Sequence, residues 1–496
     1  MKREFGALER MKLNAGKSAV KPSPAKKRDV DMTEGSILRH LITFALPLLA
    51  GNIFQQLYNT VDSWVVGKYV SDAAFSAVGT VGPIMNTLIG TFMGLSAGAG
   101  VVISQYYGAK QYDKVQDTVH TSLMLTLLLG AVFTALGILM TPFMLRLMKT
   151  PASVLPEATL YLRIYFSGII GLMVYNIGSG IMRAVGDSQR PFYFLVVSAV
   201  TNTVLDLVFV LVFKMGVEGV ALATIGAQFL SALLVLFTLA RSENCVQLHF
   251  SKLKLHWEML KKILKVGLPA ALQMAVTSFS NIFVQSYINY FGPDCMGGWT
   301  AYAKIDQFLL LPMQSVSLAG TTFVGQNLGV GDTKRAKKGI SIAMLISVVT
   351  TALLMVPVLI FAPVLVEFFN TNPEIVRYGA MLLRLISPFY VLCCVNQVLA
   401  GALRGAGDSR APMFFMLGSF VVFRQIYLYI MSNYVSNTIT AIALGYPAGW
   451  LLCSTITLIY FFRSNWEKYR LVDGESRAEG EREKKTNAST SGASNG

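Results

Sequence analysis

The sequence predicts an all-α integral membrane protein of about twelve transmembrane helices, arranged in two six-helix lobes that are related by a parallel internal repeat. Three observations support this fold class. The 496 residues are 53% hydrophobic and 14% charged, whereas soluble proteins carry about 25% charged residues. The apolar residues form repeated runs of membrane length, which favours helices over a barrel. The chain also matches itself at an offset of about 221 residues.

Apolar runs of about 20 residues or more define the predicted spans. The runs cover residues 43–66, 74–105, 118–141, 160–182, 191–213, 217–240, 263–291, 298–322, 339–361, 378–402, 412–432 and 437–462. Each half of the chain therefore holds an even number of spans.

The internal repeat is clearest in two basic turns. GIMRAVGDSQRP at 180–191 lines up with GALRGAGDSRAP at 401–412, and Gln105 lines up with Gln326 at the same offset. Because each half has an even number of spans, both halves begin on the same side of the membrane. The repeat is therefore parallel, with a pseudo-two-fold axis along the membrane normal, as in secondary transporters that rock two lobes around a central site.

The repeat also sets the predicted domain boundaries. An N-terminal lobe covers 41–240 and a C-terminal lobe covers 263–462, joined by a basic linker at 241–262 that is expected to lie amphipathically on the inner membrane surface. Residues 1–40 are rich in Lys, Pro and Ala, and residues 463–496 are charged and rich in Ser, Asn and Gly. Both ends are predicted to be disordered cytoplasmic tails.

The positions of the charges predict orientation. The formal net charge is +15, and most of the 42 Lys and Arg residues lie in the tails, the linker and the loops on the side of the chain ends. An excess of basic residues marks the cytoplasmic side, so both termini are expected there. No basic patch is interleaved with aromatic residues, and a nucleic-acid partner is not expected. We expect a multi-pass protein of a bacterial cell membrane.

The two basic turns have a composition that is typical of helix ends. Gly186 and Gly407 suit the end of one helix, and Ser188 and Ser409 can cap the start of the next. We therefore interpret these turns as structural rather than as substrate contacts.

The first span carries a carboxylate, Asp62, with Gln55 and Tyr58 on the same side of the helix. A charge inside a bilayer costs a few kcal/mol, so Asp62 predicts a functional site, and the polar stripe is expected to face a water-filled cavity. Pro47 lacks an amide hydrogen, and the helix can bend there. The alternatives are a packing role for Asp62 and a static kink at Pro47.

Three further polar residues of the first lobe can join Asp62. Asn202 and Asp206 lie one turn apart on the fifth span, and Thr224 lies on the sixth. The helical rise places all of them in the outer half of the lobe. The second lobe lacks these polar groups. Asp62, Asn202 and Asp206 are replaced there by apolar or aromatic residues, namely Val284, Phe423 and Tyr427.

Two interpretations of this cluster involve ion coupling. Carboxylate, amide and hydroxyl oxygens are ligands for a hard cation such as Na⁺. Two carboxylates in a poorly hydrated pocket can equally hold a proton, because both cannot readily be charged at once. The structural alternative is an interhelical hydrogen-bond network with one Asp permanently protonated. No cofactor and no resident metal are expected.

Several short motifs together resemble the multidrug and toxic compound extrusion (MATE) family. These are TVDSWVVG at 60–67, RAVGDSQRP at 183–191, NTVLD at 202–206, ALAT at 221–224 and RGAGDSRAP at 404–412. The resemblance extends over residues 40–462. It implies a V-shaped bundle of two lobes that exports organic cations or other amphipathic compounds in exchange for Na⁺ or H⁺.

The resemblance also implies roles for individual residues. The coupling cation of the family would bind the four residues of the cluster: Asp62, Asn202, Asp206 and Thr224. Its cavity-lining positions correspond to Gln55, Tyr58 and Asn176, and its bending proline corresponds to Pro47.

The second lobe departs from part of this pattern. Some MATE members have a Glu on the seventh helix, whereas the seventh span here has no acid. Asp306 in the eighth span is the acid that stands clearly within the spans of the second lobe. It could be a proton relay or a substrate counter-ion in the cavity, or it could form a structural ion pair with Lys304 or an Arg.

The sequence therefore predicts a cation-coupled multidrug antiporter that works by alternating access. The closest alternative is a flippase for lipid-linked saccharides or lipids of the same superfamily. A membrane-embedded lipid-modifying enzyme is disfavoured because no phosphate loop, metal cluster or Ser/His/Asp set is evident. A channel lacks a filter-like ring of residues. The expected partners are small amphipathic or cationic molecules and the lipid bilayer, and the chain is expected to act as a monomer.

Overall fold

The computed structural model describes residues 30–148 and 150–472, and every regular element in these two ranges is a helix. The all-α class predicted from the sequence is confirmed. The α-helices are α1 (Ile37–Tyr69), α2 (Asp72–Gly108), α3 (Tyr112–Leu147), α4 (Leu155–Ser167), α5 (Ile169–Ala184), α6 (Gln189–Leu207), α7 (Val217–Ala240), α8 (Trp257–Asn289), α9 (Pro293–Val330), α10 (Thr333–Ile360), α11 (Ala362–Glu367), α12 (Pro373–Ile386), α13 (Tyr390–Ala406), α14 (Arg410–Leu417), α15 (Arg424–Ile430), α16 (Ile439–Ala443) and α17 (Gly445–Arg463). Three π-helical segments extend or join them: Val208–Val212, Gly418–Phe423 and Met431–Val435.

Eleven helical runs in the described ranges are long and apolar enough to cross a membrane, and the bent pair of α4 and α5 gives a twelfth. The pair bends by 47° at Gly168. A Cβ on Gly168 would lie 2.5 Å from the side chain of Ile225 on α7. The glycine therefore lets the bend pack closely against α7, and the count agrees with the predicted number of spans.

The two lobes repeat one another in their packing as well as in sequence. The first lobe comprises α1 to α7 and the second comprises α8 to α17. In the first, Ser96 of α2 donates a hydrogen bond to the backbone oxygen of Asn176 on α5 at 2.7 Å. In the second, Ser317 of α9 donates to the backbone oxygen of Gln397 on α13 at 2.5 Å. Equivalent helices are thus joined by equivalent bonds.

The lobes meet where α2 packs against α8. Gly94 and Gly98 of α2 lie against Ala271 and Gly267, so closely that a Cβ on Gly94 would be 2.3 Å from the backbone nitrogen of Ala271. Small residues allow helix backbones to approach in this way inside a membrane. Near the start of α2, a Cβ on Gly82 would meet no atom within 4 Å. The close approach is therefore concentrated toward the end of α2.

Both ends of the described chain lie at this same end of the molecule, which we call the terminal face. The backbone nitrogen of Met32 bonds to the side chain of Gln326 near the end of α9, and that of Leu471 bonds to Gln105 near the end of α2. We call the opposite side the far face.

The predicted disorder of the chain ends is wrong for the stretches that the structure describes. The first helix begins at Ile37, Met32 before it is fully buried, and Leu471 after the last helix is 5% exposed. These stretches are ordered because their backbone amides bond to buried side chains, and because Met32 packs in an apolar cluster with residues of the second lobe and Leu471 in one with residues of the first. The predicted tails at 1–29 and 473–496 lie outside the described residues.

The connection between the lobes also differs from the prediction. Helix α7 ends at Ala240 and α8 begins at Trp257, so residues 257–262 of the predicted linker belong to a membrane-length helix. The intervening segment contains one short 3₁₀ turn at Phe250–Lys252.

The two basic turns have the helix-end geometry that their glycines predict, with one correction to the caps. Gly186 and Gly407 adopt φ angles of +92° and +100°, which favour glycine. The caps of the following helices come from aspartates rather than from the predicted serines. Asp187 accepts from the backbone nitrogens of Gln189 and Arg190, and Asp408 accepts from that of Ala411. Ser188 and Ser409 make no side-chain capping bond.

Candidate functional site

The candidate site begins with two carboxyl groups on different helices of the first lobe. Asp62 lies on α1 and Asp206 lies near the end of α6, and the two side chains are close enough to interact electrostatically. Asp206 is fully buried, while Asp62 is partly buried. Asn202 is also buried, one turn before Asp206 on the same face of α6. Helix packing therefore brings together residues that are far apart in the sequence.

Thr224 of α7 belongs to the same group. Its hydroxyl donates to the backbone oxygen of Val220 at 3.0 Å, which leaves the lone pairs of the oxygen available. The hydroxyl group of Tyr161 on α4 lies close to Thr224 and also interacts with both carboxyl groups. All four residues that the sequence predicts as a coupling site thus lie on three adjoining helices of one lobe.

The polar atoms of the cluster have few protein partners. Within the described ranges, neither carboxylate oxygen of Asp206, neither amide atom of Asn202, nor Oδ1 of Asp62 has a hydrogen-bond partner. Buried polar atoms are normally paired, because an unpaired one costs free energy. A group of buried oxygens without donors is an arrangement that suits a bound cation or a proton shared between carboxylates.

Two tyrosines on α4 complete the surroundings of the cluster and were missed by reasoning from the sequence. Tyr161 and Tyr165 are both nearly fully buried, and the hydroxyl of Tyr165 lies close to Gln228 of α7. The signal that could have found them is their spacing of four residues in YLRIY, which puts two phenols on one helix face. Their rings belong to the apolar core of the lobe, while their hydroxyl groups lie close to Thr224 and Gln228.

The predicted cavity residues of α1 adjoin this cluster. Tyr58 is partly buried and interacts with Asp62, with Tyr165 and with the side chain of Gln55. The polar stripe of α1 is therefore continuous from Gln55 to Asp62. Through Tyr58 this stripe approaches Tyr165 of α4.

Asn176, predicted to line the cavity, has contacts of a different kind. Its side-chain amide donates to the backbone oxygen of Leu172 at 2.9 Å, and its backbone oxygen accepts from Ser96. The recorded contacts of Asn176 thus hold α5 together and tie it to α2.

Pro47 lies within α1, and the helix continues through it from Ile37 to Tyr69. Proline has no amide hydrogen, so the helix lacks one bond at the turn that precedes residue 47. Beyond the proline, Asn52 donates to Ser315 of α9 at 3.4 Å. Helix α1 therefore packs in the first lobe and also contacts the second.

The second lobe has no acid at the equivalent place. Val284 on α8 is buried at the position that matches Asp62, and Tyr427 on α15, which matches Asp206, donates its hydroxyl to the backbone oxygen of Ala441 at 3.1 Å. The space that holds charged oxygens in one lobe is thus filled by apolar and aromatic groups in the other.

Asp306 of α9 is bound by tyrosines. Its Oδ1 accepts hydrogen bonds from Tyr302 on the same helix, at 3.4 Å, and from Tyr390 on α13. The structural ion pair considered for Asp306 is not formed, because its recorded partners are these two phenols rather than Lys304 or an Arg side chain. The two tyrosines provide the donors that the carboxylates of the first lobe lack.

The remaining charge of interest in the second lobe is the buried Arg424, which is 4% exposed. Its guanidinium donates to Asn281 at 2.8 Å and to Ser280 at 3.3 Å, both on α8, and lies 4.8 Å from the ring centre of Tyr446. Neutral oxygens and a ring face stabilise this cation.

Comparison with a family model matches most of the chain. The family described as MatE matches two segments, residues 47–208 and 269–430. These segments correspond to the two lobes and to the internal repeat.

Similar proteins include several bacterial multidrug proteins. The chain is 30% identical over 441 residues to a probable multidrug resistance protein, YpnP, of Bacillus subtilis (strain 168), which covers 89% of this chain and 98% of the relative. It is 25% identical over 445 residues to a probable multidrug resistance protein, NorM, of Thermotoga maritima, covering 88% and 95%.

Solved structures share the fold. An outward-facing multidrug resistance MATE family transporter of the MOP superfamily superimposes with a TM-score of 0.83 at 22% identity, covering 90% of this chain and 99% of the other. A MOP superfamily transporter from Pyrococcus furiosus, described as having a binding pocket of reverse polarity that suggests a different function, gives the same TM-score at 23% identity with the same coverage.

Proposed function

Because this chain belongs to the MatE family of membrane transporters, we propose that it is a secondary active multidrug antiporter. It exports organic cations or other amphipathic compounds in exchange for Na⁺ or H⁺. Its relatives named as multidrug resistance proteins support the substrate class. The observation that carries the coupling is the cluster around Asp62 and Asp206, whose buried oxygens lack protein donors.

The coupling ion binds between α1 and α6 in this proposal. Two carboxylates face each other with the amide of Asn202 and the hydroxyl of Thr224 nearby, so the site offers several oxygens to a cation. A proton on one carboxylate reduces the same repulsion. Either ion lowers the negative charge of the first lobe, and a cationic substrate leaves the neighbouring cavity more readily as a result.

Ion binding is then linked to the shape of α1. Asp62 is on the far-face side of Pro47, and Pro47 is a point at which the helix bends at low cost. A change in attraction between Asp62 and Asp206 changes how α1 packs against α6. Because α1 also contacts α9 through Asn52 and Ser315, such a movement reaches the second lobe.

The proposed orientation places the terminal face in the cytoplasm, as the distribution of basic residues predicts. The lobes pack closely at that face, whereas α2 has open space around Gly82 toward the far face. Close packing at the terminal face supports a state in which the cavity is closed to the cytoplasm and opens outward. Drug release and ion entry occur from this state.

The proposal is tested by ethidium efflux from proteoliposomes under imposed Na⁺ or pH gradients. The wild type is compared with Asp62→Asn and Asp206→Asn, which remove charge and keep size. The matched control is Tyr427→Phe at the position of the second lobe equivalent to Asp206. We expect one gradient to drive efflux in the wild type and in the control, and neither gradient to do so in the two Asn variants.

Two outcomes would count against this function. Gradient-driven efflux that survives in both Asn variants would make the cluster structural. A well-folded wild-type protein that transports no drug under either gradient, yet moves a lipid-linked saccharide between leaflets, would establish the flippase alternative instead.

A further inference from the structure

Two glutamines at equivalent positions of the repeat are fully buried at the terminal face. Gln105 is near the end of α2 in the first lobe and Gln326 is near the end of α9 in the second, and both are 0% exposed. Glutamine is mostly found exposed. Because both side chains are fully buried, the NH₂ group and the oxygen of each amide are expected to have hydrogen-bond partners.

Each glutamine donates across the junction to the opposite lobe. Nε2 of Gln105 donates to the backbone oxygen of Gly405 at 2.8 Å. Nε2 of Gln326 donates to the backbone oxygen of Ala184 at 2.9 Å. Gly405 and Ala184 are themselves equivalent in the repeat, and each lies within a basic turn, in the last turn of the helix with which that stretch begins. The same bond is therefore made twice, once in each direction.

Each glutamine also accepts from a chain end. Oε1 of Gln326 accepts from the backbone nitrogen of Met32 at 3.0 Å, and Oε1 of Gln105 accepts from that of Leu471 at 2.6 Å. Every buried amide thus connects three parts of the molecule: a helix of its own lobe, a turn of the other lobe, and a terminal segment. We call these segments the N-terminal clasp (residues 30–36) and the C-terminal clasp (residues 464–472).

The clasps pass directly over the glycines of the basic turns. A Cβ on Gly186 would lie 2.3 Å from the backbone oxygen of Val30, and a Cβ on Gly407 would lie 2.7 Å from that of Tyr469. Glycine is therefore required at each position for two reasons. It adopts the left-handed backbone conformation, and its lack of a Cβ allows the backbone of a clasp to pass close by. This second reason is not evident from the sequence of either turn.

Side chains of the second lobe fix both clasps in place. The backbone oxygen of Met32 accepts from Asn327 at 3.3 Å and from Nη2 of Arg335 at 3.2 Å. In the C-terminal clasp, Glu467 pairs with Lys337 at 2.5 Å, and the indole of Trp466 stacks on Phe461 at 5.1 Å. The clasps are thus held as part of the fold.

The helix backbones touch at the same level. A Cβ on Gly108 would be 2.0 Å from the backbone oxygen of Gln326, and a Cβ on Gly329 would be 2.1 Å from that of Gln105. Separating the lobes at the terminal face must therefore break the two bonds across the junction and expose the buried amides. Opening at the far face leaves them intact.

We propose that Gln105 and Gln326, together with the two clasps, form a symmetric latch that holds the terminal face closed and that must be released for this face to open. The proposal rests on the alternating access described above and assigns its gating residues. It gives both clasps a role in transport. The hydrogen bonds of the latch are made by neutral amides, so a change in pH or in Na⁺ concentration does not alter them directly. The coupling ion therefore affects the latch only through movement of the helices.

The latch is tested by distance measurements that do not depend on transport. Spin labels are placed at Asp113→Cys and Lys334→Cys, which are exposed, equivalent in the repeat and on opposite lobes at the terminal face. The background is Cys245→Ser, because the other four cysteines are buried. Double electron–electron resonance then reports the separation of the lobes in lipid nanodiscs.

The test variant is Gln105→Met with Gln326→Met, which keeps the length of the side chain and removes its donors. The control is Gln189→Met, which lies within the first basic turn and is exposed. We expect the population with widely separated labels to rise at least about fivefold in the double variant, as loss of hydrogen bonding across the junction requires. The control should retain the wild-type distribution.

A second pair of variants avoids the buried helices. Met32→Pro and Leu471→Pro each remove one backbone N–H that bonds to a glutamine. These two variants replace the glutamine variants in the distance measurement if the latter do not fold. An unchanged distance distribution in folded variants of either kind would overturn the latch. The wild type is assayed for efflux in parallel. If the wild type shows efflux but the variants have unchanged label distances, only the latch is rejected. If the variants have altered label distances but the wild type shows no efflux, only the antiporter function is rejected.

Discussion

Asp62 of α1 and Asp206 of α6 face each other inside the first lobe, close enough to interact electrostatically but without hydrogen-bond donors on either oxygen of Asp206. The equivalent pair in the second lobe is Val284 and Tyr427. The two lobes therefore share the same helix arrangement, but at these equivalent positions the first lobe has opposed carboxylates and the second does not. Ion coupling in a transporter built on this frame is expected to be asymmetric between the lobes.

The two carboxylates are expected to act as a unit. Asp62→Asn and Asp206→Asn should each reduce gradient-driven efflux to below about a tenth of the wild-type rate, because one carboxylate alone holds neither ion as the pair does. The double variant should be no worse than either single variant. Efflux assays with matched amounts of reconstituted protein give this comparison. Losses that multiply in the double variant would show that the two residues act independently.

Na⁺ binding, if Na⁺ is the coupling ion, should stabilise the folded protein. In Na⁺-free buffer neither oxygen of Asp206 has a hydrogen-bond partner, so Asp206→Asn should melt at a higher temperature than the wild type. Added Na⁺ should raise the melting temperature of the wild type and leave that of the variant unchanged, because a ligand stabilises the state that binds it. K⁺ at equal ionic strength is the control. A wild type that does not respond to Na⁺ would identify H⁺ as the ion.

The junction between the lobes should tolerate no side chain at Gly98. A Cβ there would lie 2.5 Å from Gly267, so Gly98→Ala should destabilise the protein by about 1–3 kcal/mol through overpacking. The matched control is Gly82→Ala on the same helix, where an added Cβ would meet no atom of another helix within 4 Å. That change should be neutral or stabilising, since alanine favours a helix over glycine. Thermal unfolding in detergent would measure both variants, and equal melting temperatures would contradict the packing argument.

Asp306 offers a test of substrate binding apart from ion coupling. We expect Asp306→Asn to raise the KM for a monovalent organic cation about tenfold and to leave the ion dependence of efflux unchanged, as for a residue that binds substrate only. Lys304→Gln, a nearby exposed residue, is the control. Loss of the gradient response in Asp306→Asn, with KM unaltered, would instead indicate a proton relay in the second lobe.

Much of the fold was predictable from the sequence because it depends on regular features. Apolar runs of membrane length gave about twelve spans, and the repeat gave two parallel lobes. The convergence of Asp206 with Thr224 followed from the helical rise alone. These inferences need only the period and length of helices, which every membrane-spanning helix shares.

The latch and the surroundings of the site could not be predicted in this way. Met32 and Leu471 bond through their backbone nitrogens, which every residue except proline possesses, so their sequences carry no sign of the contact. The burial of Gln105 depends on how closely two lobes approach, which no local pattern records. Tyr161 had a visible spacing, yet its approach to Thr224 depends on how α4 packs against α7, which is a tertiary effect.

Pro47 has a matched proline in the second lobe, which allows the role of a bend in α1 to be isolated. Pro47→Ala restores an amide hydrogen and favours a straight, regular helix. If bending of α1 links ion binding at Asp62 to movement, this variant should bind ethidium with near wild-type affinity and lose most of its gradient-driven efflux. The control is Pro269→Ala, at the equivalent position in α8 of the second lobe. Because that lobe has no opposed carboxylates, this variant should retain efflux. Equal losses in both variants would mean that the two prolines serve only the packing of their lobes, because a bend that communicates with the ion has to lie on the helix that carries Asp62.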